Sequence, residues 1–317
     1  MTTITTKLHP LKFYASLVFG TLFLCGLGTL LLFVSVDILQ KENPATKDYF
    51  MPVFSLALYL LAFLMLYAYW KNSPTISLDT NSIKIGDETF YLKDIKDIAL
   101  TGKMPFKFII TFPMEGTAIL FNNGIEKILF DDMYSNSSEI KLFLERVVIK
   151  KQDFNHDSIK EISKDAIRFE NEETFKGNQS TSLRGISLWG IIGFFTFLLI
   201  SKWQSPPIGL LIFFGAFGTF WFVLHSWLMH YFGLTKDYLV VRNHNFIWKV
   251  KIYRLTDIKE VVFETQGKQP NCMRIITKDF RNRLYPAGTL RDKTWLEMKR
   301  QLESNGVSVR NECIYEE

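Results

Sequence analysis

Residues 13–36 read FYASLVFGTLFLCGLGTLLLFVSV, 24 positions without one Asp, Glu, Lys or Arg. A helix rises about 1.5 Å per residue, so about 20 apolar residues cross a hydrocarbon core of about 30 Å. This stretch is long enough to span a membrane. Its apolar run is longer than that of a cleaved signal peptide and lacks a small-x-small site at its end, so it reads as a retained span. Three further charge-free runs follow: Tyr49 to Trp70 with 22 residues, Gly185 to Ser201 with 17, and Trp203 to Thr235 with 33. The third needs Leu183 or Trp203 to reach full length. The fourth is longer than required, and its span is expected near Ile208 to Met229. Pro206-Pro207 suits a helix start, where a proline forfeits no helical hydrogen bond.

These blocks explain the composition. The chain has 317 residues, 48% hydrophobic and 22% charged, with a mean hydropathy of +0.08. That excludes a mainly disordered chain, which needs low hydrophobicity and high net charge. Short connectors make antiparallel neighbours. Asp37 to Asp48 joins the first two spans and Lys202 to Ser205 the last two, giving two helical hairpins. Lys and Arg in short flanks set orientation. The two connectors carry Lys41, Lys47 and Lys202. The other side carries Lys7, Lys12, Lys71, Lys84, Lys176 and Arg184, and further cations after the fourth span. The expectation is a multi-pass protein with both termini and both long segments in the cytoplasm. Trp70, Trp203, Trp227 and Tyr231 stand near span ends, as an aromatic belt would.

A pattern recurs along the chain. Tyr91-Leu92-Lys93-Asp94-Ile95-Lys96-Asp97-Ile98 matches Arg254-Leu255-Thr256-Asp257-Ile258-Lys259-Glu260-Val261. Ile109-Ile110-Thr111 matches Ile275-Ile276-Thr277, and Ser77–Thr80 with Ile83-Lys84-Ile85 parallels Gly233–Lys236 with Leu239-Val240-Val241. Each segment ends in a helical stripe: Ile140, Phe143, Leu144 and Val147 in one, Trp295, Met298 and Leu302 in the other. These matches predict a duplicated unit of hairpin plus domain. Alternating and β-branched runs predict strands at Thr75–Leu78, Ser82–Ile85, Thr89–Leu92, Ile95–Leu100, Phe106–Phe112, Thr117–Phe121 and Lys127–Phe130. Turns are expected at Gly86-Asp87, Thr101-Gly102, Glu115-Gly116 and Asn122-Asn123-Gly124. In the second segment strands are expected at Tyr238–Arg242, Phe246–Tyr253, Ile258–Glu264, Met273–Thr277 and Arg283–Tyr285, with a helix from near Asp292.

Short antiparallel strands closed by one helix make the chain resemble bacterial membrane proteins in which a transmembrane hairpin precedes a pleckstrin-homology-like (PH-like) domain. The residues that carry the resemblance are Leu78-Asp79 with Ile83-Lys84-Ile85, the Leu92-Lys93-Asp94-Ile95 and Leu255-Thr256-Asp257-Ile258 steps, and the closing helices. It implies a membrane α plus cytoplasmic α+β fold: two transmembrane helical hairpins, each followed by a PH-like β-barrel or sheet closed by a C-terminal helix. The bacterial inner (plasma) membrane is the implied location. The expected layout is 1–72 for the N-terminal segment and first hairpin (13–36 and 49–70), and 73–150 for the first PH-like domain. A charged linker follows at 151–183, then the second hairpin at 184–231 (185–203 and 207–229). The second PH-like domain occupies 232–310 and a tail 311–317. PH-like domains are generally binding modules, so the resemblance implies no catalytic residue.

The linker offers Ser158-Ile159-Lys160-Glu161 as a capping box. Ile159, Ile162, Ala166 and Phe169 would share one helical face, and Lys176 to Ser182 reads as polar loop. Little catalytic chemistry is visible. Cys25, Cys272 and Cys313 have no metal or redox spacing. His225 and His230 are i, i+5, about 140° apart on a helix, which suits an interfacial role over a ligand role. Asp131-Asp132 reads as turn chemistry. Asn136 and Asn178 begin glycosylation patterns that a cytoplasmic location would leave inert. No phosphate loop, nucleophile elbow or zinc-protease helix occurs, and the spans lack the buried charges of a transporter. The expectation is a protein with no cofactor, no metal and no enzymatic activity.

Charge is unevenly placed. Residues 71–150 hold 10 Lys/Arg and 11 Asp/Glu, whereas residues 236–317 hold 16 and 11. Lys236, Arg242, Lys249, Lys251 and Arg254 follow the fourth span closely and are candidate contacts for anionic headgroups. Interleaved acids argue against nucleic acid. Ser16/Gly20 and Gly215/Thr219 are small-xxx-small pairs that suit close helix packing or a homo-oligomer. The leading expectation is a non-catalytic binding or scaffold module for proteins at the membrane. The alternatives are an anionic-lipid sensor using the basic second domain and, last, a transporter or enzyme.

Overall fold

The computed structural model describes residues 3–40, 49–155, 158–163, 171–201, 208–267 and 269–315. Most of the 37–48 connector and the whole of 202–205 lie outside the described residues. Two compact units divide the chain, residues 1–156 and 157–317.

Unit 1 opens with a short strand, β1 (Ile4–Thr5), and a π-helical turn over Pro10–Ala15 that leads into helix α1 (Ser16–Leu39). Pro10 has no N–H to lose at the first turn. His9 caps the turn, its Nδ1 accepting from the backbone N–H groups of Leu11 and Lys12 at 3.2 and 3.1 Å. Helix α2 (Phe50–Lys71) runs back antiparallel to α1. A Cβ on Gly20 would meet Met65, and one on Gly28 would meet Tyr59. Ser55 Oγ donates to Gly28 O at 2.7 Å, and the Thr29 and Tyr59 hydroxyls bond at 2.7 Å. Gly20 therefore packs inside its own hairpin.

After α2 come β2 (Ile76–Leu78), β3 (Ser82–Ile85) and β4 (Glu88–Tyr91), which with β1 form an antiparallel sheet in the order β1-β2-β3-β4. Ile4 pairs with Leu78, so the strand before the hairpin is stitched to the strand after it. A 3-10 turn at Leu92–Asp94 leads to β5 (Ile95–Ala99), β6 (Lys103–Lys107), β7 (Thr111–Phe121) and β8 (Glu126–Phe130). The long β7 pairs with β6 along its first half, with β5 along its second, and with β8. Helix α3 (Ser137–Phe143) continues as a π-helical turn over Leu144–Ile149. Ile76, Leu78, Ile83, Phe106, Ile119 and Leu144 are completely buried in this unit. Each such side chain contributes about 1.5–3 kcal/mol relative to exposure. The Asp131-Asp132 pair forms a 3-10 turn in which Asp131 bonds Lys141 of α3 and Asp132 bonds Lys12 at 2.6 Å. Asn136 bridges Lys7 N and Thr5 O.

Unit 2 places β9 (Glu173–Phe175) before helices α4 (Leu183–Ser201) and α5 (Ile208–Trp227). Trp221 Nε1 donates to Ser187 O at 3.2 Å between the two helices. Strands β10 (His230–Leu234), β11 (Tyr238–Asn243) and β12 (Val250–Arg254) follow, giving a sheet in the order β12-β11-β10-β9. Again the strand before the hairpin pairs with the strand after it, Phe175 opposite Phe232. A 3-10 turn at Leu255–Asp257 leads to β13 (Ile258–Thr265), β14 (Asn271–Thr277) and β15 (Asn282–Pro286). Helix α6 (Asp292–Ser304) and β16 (Val309–Asn311) complete the unit, and β16 joins β13 in parallel. The Trp295, Met298 and Leu302 stripe is wholly buried, with Phe263 4.8 Å from Trp295 ring to ring.

The fold thus has four helices long and apolar enough to cross a membrane and several antiparallel sheets. Among the described residues no hydrogen-bonded ladder closes a barrel, although in unit 2 a bridge between Met229 and Ala287 joins the ends of β10 and β15. The stretches Tyr91–Ile98 and Arg254–Val261 fold alike, each a strand end, a 3-10 turn and a strand with a register shift in its first residues.

Several expectations need correction. The strand expected at Phe106–Phe112 is broken by a bend at 108–110, and the turn expected at Glu115-Gly116 lies inside β7. Gly116 marks a close approach of strands: a Cβ there would lie 2.5 Å from Leu129 O. The strand expected from Phe246 starts only at Val250. Ile109-Ile110 forms a loop whereas Ile275-Ile276 lies within β14, so that sequence match pairs residues in different structures. Residues 158–163 are not helical, and side chains of Asp279 and Arg281 hold the backbone N–H and C=O of Ile159 there (below). Ala166 and Phe169 lie outside the described residues. The short strands β1 and β9 were not anticipated.

Candidate functional site

Strand β12 ends one sheet of unit 2 and β15 ends the other. An edge strand leaves a row of backbone groups without ladder partners. These two edges flank a groove lined by Val250, Tyr253, Arg254, Thr277, Arg281 and Arg283, among others. The Tyr253 hydroxyl hydrogen-bonds that of Tyr285 in β15. Burial pushes both phenols above their usual range, so both stay protonated and uncharged.

Residues Ile159–Ile162 line the same groove. Ile159 N donates to Asp279 Oδ2 at 3.1 Å, and Arg281 donates through Nη2 to Ile159 O. Asp279 and Arg281 are themselves paired at 2.7 Å. Together they read one residue's N–H and C=O, contacts that do not depend on its side chain. The Glu161 carboxylate pairs with Lys251 at 2.6 Å and Arg283 at 3.3 Å. The Lys251 hydrogen bond, reinforced by its charge, holds Glu161 below the ordinary carboxylate range. The groove can therefore hold a segment of polypeptide by its backbone and by one acidic side chain.

A second feature is a cleft lined by Lys236, Arg254, Lys259 and Lys278, with Asp237 the one acidic side chain in its lining. Lys259 Nζ sits 3.8 Å from the centroid of the Phe280 ring. This cleft lies at the end of the β10–β11 ladder that is far from α5. His230 pairs with Asn243 next to the helix and Leu234 with Leu239 at the other end.

The five cations singled out in the sequence do not form one surface. Lys236 and Arg254 share the far cleft. Arg242 is bound by both oxygens of Glu172, which raises its already high pKa further. Gly233 makes room for that carboxylate, since a Cβ there would overlap it. Lys251 is bound to Glu161. Lys249 lies at the helix end of the sheet, 4.6 Å from the Phe246 ring centroid. His225 and His230 sit on different elements. His225 packs against the Trp221 ring within α5, 4.1 Å between centroids, and His230 in β10 bonds Pro286 O at 3.0 Å. Burial lowers His230 to about 4. Asn178 caps the turn before α4, its Oδ1 accepting from Ser180 N and Thr181 N. Among the described residues no group of three or more His, Cys, Asp or Glu gathers as a metal site.

Asp279, Arg281 and Arg283 were missed in the sequence. Their signal was a charge-rich turn, Lys278-Asp279-Phe280-Arg281, between two apolar strands, which ordinary turn chemistry explains equally well. Compared with known proteins, the chain matches no protein-family model and no curated protein.

Proposed function

We propose that the chain is a multi-pass protein of the bacterial inner membrane, with both termini and both β units in the cytoplasm. It acts as a non-catalytic binding module for protein segments. In this reading each unit is one copy of a duplicated hairpin plus PH-like domain. The shared order of strand, hairpin, three strands, 3-10 turn, second sheet and helix supports it. The observation that carries the binding role is the groove between β12 and β15, where Asp279 and Arg281 hold the backbone of Ile159. A site that grips backbone groups suits extended polypeptide, as in strand-type recognition. The chain's own linker is the resident segment, and a partner would displace it.

The test is a photocrosslinking residue at position 253 in the full-length protein in native membranes. The expected result is one reproducible protein adduct whose yield rises when Glu161→Lys weakens the resident segment. Purely intramolecular adducts in both forms would overturn the binding role.

A second reading, sensing of an anionic phosphate group, rests on Lys236, Arg254 and Lys278 converging on one cleft. Its place at the ladder end far from α5 favours a soluble phosphate ester over a headgroup of the bilayer that α5 would span. Soluble glycerophosphate, but not glycerophosphocholine, should then raise the melting temperature, and K236E with R254E should abolish the rise. A transporter or enzyme stands last.

A further inference from the structure

Among the described residues outside the four long helices and the turn leading into α1, only two places put consecutive large apolar side chains in the open. One is Ile109-Ile110, 62% and 72% exposed, between β6 and β7. The other is Ile247-Trp248, 74% and 72% exposed, between β11 and β12. Both lie in turns. Lys249 N donates to Phe246 O at 2.8 Å, so Ile247 and Trp248 are the central pair of a β-turn. Turn centres ordinarily take Gly, Pro, Asn or Asp. Neither pair contributes to a core, so neither is explained by the fold of its unit.

Each turn lies at the end of a membrane-length helix of its own unit. In unit 1 Asn72, just past α2, donates through Nδ2 to Lys107 O at 3.4 Å, and the Tyr69 ring lies 5.5 Å from Phe106. In unit 2 Asn243 Nδ2 and Asn245 Nδ2 bond Ser226 O and Ser226 Oγ at 2.7 Å each, and His244 N bonds Met229 O. The Phe246 ring lies 6.4 Å from Phe222 of α5. The last helical turns also carry Trp70 and Trp227, residues typical of the bilayer interface. Lysine flanks both apolar pairs, as Lys107 and Lys249, and long cationic side chains can snorkel to headgroups. The two turns come from different strand connections, so a repeated loop does not account for them.

We propose that Ile109-Ile110 and Ile247-Trp248 are membrane-dipping tips, each inserted into the interfacial layer of the bilayer that its own hairpin spans. The tips clamp each β unit against the lipid surface, with Lys107 and Lys249 at headgroup level. The occupant is lipid and not a protein partner, because the helix end fixes the bilayer boundary at the height of the tips.

Nitroxide labels on single cysteines in the full-length protein test this, after Cys25, Cys272 and Cys313 are replaced and the melting temperature is shown to be retained. The labelled positions are Ile110→Cys and Trp248→Cys. The controls are Ile125→Cys and Lys236→Cys, which lie at the far ends of β7 and β10. Proteoliposomes at low protein-to-lipid ratio keep copies apart. The expected result at 110 and 248 is loss of collisions with a water-soluble nickel chelate and a gain of collisions with oxygen, relative to the controls. Chelate access equal to the controls would overturn the proposal. So would loss of both collisions, which signals cover by protein.

Discussion

His230 is the residue whose environment has the clearest consequence for solution behaviour. It is buried in β10, with a carbonyl partner at Pro286 and the Lys249 charge nearby. Burial lowers its pKa from 6.5 to about 4. The unfolded chain therefore binds a proton at a pH where the folded chain does not. Stability from this group is full above pH 6.5 and is lost as pH falls towards 4. At 1.36 kcal/mol per pKa unit the loss amounts to roughly 3 kcal/mol at most. Thermal melts of unit 2 between those pH values should show a falling melting temperature, and His230→Asn should flatten the profile. The Arg274–Glu264 pair gives a second test. Both side chains are 1% exposed, and the guanidinium reaches Glu264 Oε1 through Nε at 3.0 Å and Nη2 at 2.7 Å. Arg274→Met alone buries a carboxylate without its main counterion and should cost about 3–5 kcal/mol. Changing Glu264→Leu as well should recover much of that loss in the same melts, because the desolvation cost then disappears with the charge.

The helices α1 and α2 pack through glycine, and this sets an asymmetric expectation on one helix. A Cβ at Gly28 would already lie 3.2 Å from the Tyr59 ring, whereas Gly26 has nothing within 4 Å. Gly28→Val should overpack the hairpin and cost about 1–3 kcal/mol. Gly26→Val should be close to neutral. Unfolding in graded denaturing detergent separates the two. The helices were the most legible elements, since a run of about 20 apolar residues is what a membrane-length helix needs, and a helix satisfies its own backbone hydrogen bonds. Helix α6 was equally plain, because its i, i+3, i+7 stripe is its core contact. Strands were legible where alternation coincided with burial, as in β3, or where β-branched and aromatic residues clustered, as in β13, whose Val261–Glu264 are buried on both faces. They were misread at Phe106–Phe112 and Phe246–Tyr253 for one shared reason. An apolar run looks the same whether a sheet core or a membrane surface covers it, and only the backbone reveals a turn. Strands β1 and β9 are two and three residues long, too short for any period to register. The groove was hidden for a different reason. Ile159 lies over a hundred positions from Asp279 and Arg281 in the chain, and their contacts to it are to backbone groups that no side-chain motif encodes.

At the scale of the whole molecule, each unit ties its hairpin to its own sheet by the same device. The strand before the helices pairs with the strand after them, β1 with β2 and β9 with β10. In unit 1 the tie is broader than two residues. Thr6 N donates to Ile76 O and Ser135 N to Lys7 O, both at 2.8 Å, Leu8 bridges to Tyr134, and Lys12 pairs with Asp132. Removing residues 1–9 takes away the β1 ladder, the Leu8 bridge and the His9 cap, and exposes the outer edge of β2 with the buried Ile76 and Leu78 beside it. Unit 2 has its own core around Phe232, Phe263 and Trp295, to which none of the described residues 3–9 belongs. Truncation should therefore leave the protein in the membrane, since all four long helices remain, but open unit 1 alone. Limited proteolysis of the membrane-embedded protein, read by mass spectrometry, is expected to cut between residues 73 and 150 after truncation. Residues 230–315 should stay as resistant as in the intact chain. Cleavage spreading equally through both regions would mean that the two units unfold as one, contrary to their separate cores.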